Sequence, residues 1–139
     1  MSFDKDTRNL VANIGAVCRH RLTEDVTDQL RGVFGLHPDG TVLPLEKLTY
    51  LSPDQSEAAR RLRDLLNHYT VGAAGKEAAR REAGFKRMVL EISFTILNRL
   101  AALRLCEERD LVIECVRKGT TSAGFQMFER ISGSGFDGR

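Results

Sequence analysis

Glu91–Val112, EISFTILNRLAALRLCEERDLV, is the segment on which the reading of this chain turns. At about 100° per residue, Phe85, Met88, Val89, Ile92, Ile96, Leu100 and Leu103 fall on one helical face. Leu90, Phe94, Leu97, Ala101 and Leu105 cover much of the opposite face. A helix that is apolar nearly all round is buried on both sides. The pattern predicts a long, largely buried central helix over about Phe85–Arg109, and an all-α fold: an irregular helical bundle with short loops.

Asn98, Arg99 and Arg104 interrupt the apolar pattern. They break the run of about 18 uncharged residues that a membrane span requires. Arg99 lies between Ile92 and Leu103 on the wheel, and a buried cation without a partner is very costly. Arg99 is therefore expected to meet a carboxylate, a set of backbone carbonyls or an anion. Asn98 is expected to cross-link neighbouring elements, and Arg104 to snorkel toward water. All three are read as structural buried polar residues.

Outward from this helix, Leu10, Val11, Ile14, Val17 and Cys18 recur at helical spacing and predict a first helix over about Asp6–Leu22. Thr23 then caps a second helix or marks a bend in a longer one. Val26, Leu30, Val33 and Phe34 follow as an apolar face, stopped by Gly35 and Pro38. Asp39-Gly40 is a turn signal, which allows at most a minor hairpin near residues 36–45; a loop with a helical turn near Leu45–Leu48 is the other reading. In SPDQSEAARRLRDLLNHYT, Ser52 suits the N-cap, Pro53 the first helical position, and Gln55 closes a capping box. Leu62, Leu65, Leu66 and Tyr69 form the buried stripe there, and Gly72 ends it. Gly84 marks a kink or a close approach. Val112, Ile113 and Val116 could form a strand, though no partner strand is evident, and Ser122 can cap a last short helix.

The totals bound the function. With 139 residues, 42% hydrophobic and 29% charged, the chain suits a single globular domain. A net charge of +2 and a pI near 8.6 are mild for a nucleic-acid binder. Cys18, Cys106 and Cys115 have neither disulfide nor zinc spacing. Reduced thiols and a polar N-terminus, MSFDKDTRN, fit a cytoplasmic protein. His20, His37 and His68 lack ligand spacing, so no metal is expected.

FTILNRLAALRLCEERDLV resembles a segment near the N-terminus of large adenine-specific DNA methyltransferases. These are the type IIG restriction–modification enzymes and related BREX- and DISARM-type phage-defence methylases. The residues that carry the likeness are Phe94, Ile96-Leu97, Asn98-Arg99, Ala102-Leu103-Arg104 and Glu107-Glu108. LRGVFGLHPDGTVLPLEKL and VRKGTTSAGFQMFERI are similar to flanking segments of the same family. The resemblance implies S-adenosylmethionine as cofactor of the parent protein, and the catalytic domain of the same polypeptide as partner. The catalytic Asn-Pro-Pro-Tyr type motif is absent here: the only prolines are Pro38, Pro44 and Pro53, none paired. No catalytic, cofactor-binding or metal residue is therefore assigned to this chain.

The expectation is a non-catalytic N-terminal helical domain that braces the methylase and touches DNA phosphates. Arg60, Arg61, Arg80, Arg81 and Arg117 are the candidate backbone contacts, because such contacts need only positioned cations. Glu57, Asp64, Glu77 and Glu82 interleave with them, which favours a solvated face of local pairs instead. The alternative is a free-standing helical interaction or regulatory protein that dimerises through an apolar helix face. Gly133, Gly135 and Gly138 match G-x-G-x-x-G but follow a helix, so they read as a loop.

Overall fold

The computed structural model describes residues 4–132. Four α-helices, α1 (Lys5–Gly32), α2 (Pro53–Val71), α3 (Glu77–Glu108) and α4 (Ala123–Ser132), account for most of them. Two 3₁₀ turns, Leu45–Lys47 and Gly119–Thr121, lie in the connections. Among the described residues there is no strand, only an isolated antiparallel bridge between Leu36 and Val42. The fold is all-α. The glycine-rich 133–138 segment lies outside the described residues.

The chain divides into two compact units, Met1–Phe94 and Thr95–Arg139. In the first, α1 is one unbroken helix. Asp4 caps it by accepting from the Thr7 N–H at 2.7 Å. Thr23 does not start a second helix: its hydroxyl donates to the Arg19 carbonyl at 2.7 Å, inside the longer one. Past the helix end, Gly35 takes φ +66° and the Leu36 N–H reaches back to the Leu30 carbonyl at 2.9 Å. Both readings of the next segment hold. The Leu36–Val42 bridge closes a minor hairpin, and the helical turn follows at Leu45–Lys47.

Helix α2 starts as its sequence requires. The Gln55 N–H donates to the Ser52 Oγ at 3.2 Å, and the Ser52 N–H donates to the Gln55 Oε1 at 2.9 Å, with Pro53 in the first turn. Gly72 closes it. Helix α3 is continuous through Gly84, so that glycine marks close packing and no break. A Cβ there would lie 2.6 Å from the Thr70 Oγ1 and 2.9 Å from the Thr70 N. Val26 and Leu30 of α1, Leu36 of the hairpin, Leu48 after the turn, Ala59 and Leu66 of α2, and Phe85, Met88 and Val89 of α3 are all buried. These residues form the core.

The expected burial of α3 on both sides holds for one side and for part of its length. In the first unit Leu90 and Phe94 stand 56% and 59% exposed. In the second, Leu100, Leu103 and Leu105 are exposed. The segment is apolar all round, but packing partners cover only the Phe85–Met88–Val89 face. The start of α1 is likewise open: no residue from 5 to 25 is buried.

Candidate functional site

The second unit is organised by a carboxylate. Helix α3 ends with the Leu111 N–H on the Cys106 carbonyl (2.9 Å) and the Asp110 N–H on the Glu107 carbonyl (3.0 Å). This paired pattern puts Asp110 in the left-handed region at φ +55°. The turn throws the chain back over the helix end. There the Glu107 Oε1 accepts the backbone N–H groups of Cys115 and Val116, and its Oε2 accepts that of Arg117 at 3.2 Å. Three successive amides thus form a nest around one buried carboxylate. Burial pushes the Glu107 carboxyl up, but the amides of Val116, Cys115 and Arg117 outweigh it and hold the group at about 2. The same carboxylate, as hydrogen-bond partner, raises the Cys115 thiol above its ordinary value.

Two further contacts lock this loop. The buried Ser122 hydroxyl donates to the Cys115 carbonyl at 3.1 Å, where the sequence suggested only a helix cap. The Gly124 N–H donates to the Glu114 carbonyl at 2.7 Å, and a Cβ on Gly124 would approach that oxygen to 2.9 Å. No strand forms at Val112–Val116, where the Cys115 and Val116 amides serve Glu107 instead of a ladder. The loop is held by polar contacts, so its apolar side chains are left outward. Leu111 is 70% exposed and Ile113 56%. Leu105 of α3, and Met127, Phe128 and Ile131 of α4, are exposed as well. The second unit thus couples a fixed backbone to an uncovered apolar surface. Among the described residues no group of three or more His, Cys, Asp or Glu side chains could hold a metal ion.

Of the three residues expected to be buried and polar, two need correction. Asn98 and Arg99 are exposed. No ion pair among the described residues involves Arg99, which stays in water because the face it shares with Met88 and Ile92 is open at this level. Arg104 is half-buried and pairs with Glu108 at 2.8 Å, and lies 3.7 Å from the Glu107 Oε2. The part foreseen for Arg99, a cation meeting backbone carbonyls, falls to Arg63 in the first unit. Its guanidinium donates to the Phe34 carbonyl (3.0 Å), the Leu43 carbonyl (2.7 Å) and the Ala59 carbonyl (3.0 Å). It ties both ends of the hairpin to α2.

The basic candidates are spread over three segments of the chain. Arg60 and Arg61 stand on α2, Arg80 and Arg81 in the first turns of α3, and Arg117 in the second unit. Arg61 pairs with Glu57 and Arg81 with Glu77, each one turn away. Arg80 is half-buried, with its Nε out of reach of any partner. Arg60 and Arg117 are the exposed ones without a carboxylate partner among the described residues.

Glu107 and Arg63 are the residues that sequence reading missed, and both left a trace. Glu107 falls at the same wheel angle as Val89, an acid on the buried face. Arg63 follows the buried Ala59 by four residues, on the inner side of α2. No helix among the described residues is long and apolar enough to cross a membrane. Comparison with family models, curated proteins and solved structures gives no match.

Proposed function

We propose that this chain is a non-catalytic helical domain of an S-adenosylmethionine-dependent adenine-specific DNA methyltransferase, docking on the catalytic domain through its second unit. The resemblance of FTILNRLAALRLCEERDLV to that family supports this reading. The observation that carries the docking role is the exposure of Leu105, Leu111, Ile113 and Phe128 on a backbone pinned by Glu107. Apolar patches of this kind mark interaction sites. Asn98 and Arg99, the polar centre of the likeness, lie in the same unit and are exposed, so they are available to a partner domain. Phosphate contacts by Arg60 and Arg117 are compatible with this role, since neither has a carboxylate partner among the described residues.

The test is the reading frame downstream of Arg139. The proposal expects a Gly-rich cofactor loop and an Asn-Pro-Pro-Tyr type motif in it. A stop codon directly after Arg139 contradicts the proposal.

A further inference from the structure

The first unit contains a helix without a groove and a groove without a helix. The helix is the opening of α1. Leu10, Val11, Ile14 and Val17 are 60%, 60%, 55% and 68% exposed, and no described residue before Val26 is buried. An isolated helix of this length is marginal in water. Gly15 and the β-branched Val11, Ile14 and Val17 weaken it further.

The groove runs between the middle of α1 and the first half of α3. It holds two adjoining cavities of about 330 and 380 Å³, which share Thr23 and Leu90. Thr23 and Thr27 form the α1 wall. Each hydroxyl donates to a carbonyl of its own helix at 2.7 Å; Arg19 also lines this wall, and across from it the buried Ser93 Oγ has no hydrogen-bond partner among the described residues. Phe85 and Val89 line the opposite side, with Leu90 and Phe94 exposed along the rim. From Glu82 to Phe94 the α3 side is about 18 Å long, and the stripe from Leu10 to Cys18 is about 12 Å long at the helical rise per residue. The α3 side is therefore longer than the stripe.

We infer that the arm of one molecule, Leu10–Cys18, docks in the α1–α3 groove of a second copy, and that the exchange is reciprocal about a twofold axis. Within one chain the two cannot meet. Arm and wall belong to the same unbroken helix, and Arg19 follows Cys18 directly. A second copy brings the same arm and the same groove, so one symmetric dimer covers both surfaces twice. Covering only the arms, by pairing α1 with α1, leaves the groove empty. The inference does not depend on the methyltransferase reading.

Sedimentation equilibrium of the 139-residue chain tests it, across loading concentrations of about 1–200 µM. A monomer–dimer equilibrium is expected. Ile14→Glu in the arm and Leu90→Glu in the groove rim should each raise the dissociation constant at least about tenfold, because each places a charge in the contact. Both positions are more than half exposed, so the helical circular dichroism of each variant should match the parent. Mixing the two variants should restore dimer, since the intact arm of one fits the intact groove of the other. A parent that stays monomeric overturns the inference. So does a dimer that Leu90→Glu leaves unchanged, or a mixture that fails to recover.

Discussion

Gly84 of α3 and Thr70 of α2 approach so closely that one methyl group on residue 84 would stand 2.6 Å from the Thr70 Oγ1. Gly84→Ala gains about 1 kcal/mol of helix propensity in an exposed helix. Here it must push the end of α2 away, and overpacking of this kind costs roughly 1–3 kcal/mol. The variant should therefore be less stable than the parent in urea melts. A more stable variant would show that the two helices are free to separate.

The Glu107 nest predicts a pH dependence. The carboxyl sits at about 2 in the folded chain against 4.5 ordinarily, so the folded state favours its charged form. This contribution is present in full above about pH 4.5. It fades as pH falls from there toward 2. Glu107→Gln should lower the melting temperature at pH 7, with a smaller difference from the parent near pH 3. Removing the carboxylate should also speed alkylation of Cys115 at pH 8, because its thiol is no longer held up by that neighbour. An unchanged alkylation rate would place the carboxylate away from Cys115.

Arg63→Ala should cost about 2–3 kcal/mol, the scale of hydrogen bonds made by a charged donor to acceptors left unsatisfied. Arg63→Lys should recover little of it. A single ammonium does not reproduce the planar fork that reaches Phe34, Leu43 and Ala59 together. Full recovery by lysine would reduce the role of Arg63 to charge alone.

Arg99→Ala should leave stability within about 0.5 kcal/mol of the parent, as for other surface replacements. The periodicity of α3 suggests the opposite, a buried pair worth several kcal/mol. Coincident denaturant melts are the expected result, and a large loss would mean that Arg99 is covered in solution.

Much of the fold was legible where local chemistry decides it. The Ser52–Gln55 capping box, Pro53 and Gly72 set the bounds of α2 because those signals act within a single turn. The Asp39-Gly40 turn did the same for the hairpin, with Gly40 at φ +84° and the Thr41 N–H on the Asp39 carboxylate at 2.8 Å. What periodicity could not decide is which apolar face finds a partner. The wheel of α3 is apolar on both sides, yet Phe85 is buried and Phe94, nine residues on, is open. The anchoring roles of Arg63 and Glu107 were hidden for a related reason. They bind backbone groups brought near by loops, and backbone groups carry no sequence signature. The basic residues were easier to name than to group, because their positions depend on tertiary structure.

The central claim is that this helical domain serves an adenine methyltransferase by docking on its catalytic part. Transfer of a labelled methyl group from S-adenosylmethionine to adenine in duplex DNA tests it most directly, comparing the product of the whole reading frame with residues 1–139 alone. The account predicts N6-methyladenine from the whole product, none from residues 1–139, and a marked loss when Leu105→Glu and Phe128→Glu are introduced together on the exposed surface. A whole-frame product that transfers no methyl group to adenine, or a double variant as active as the parent, would contradict it.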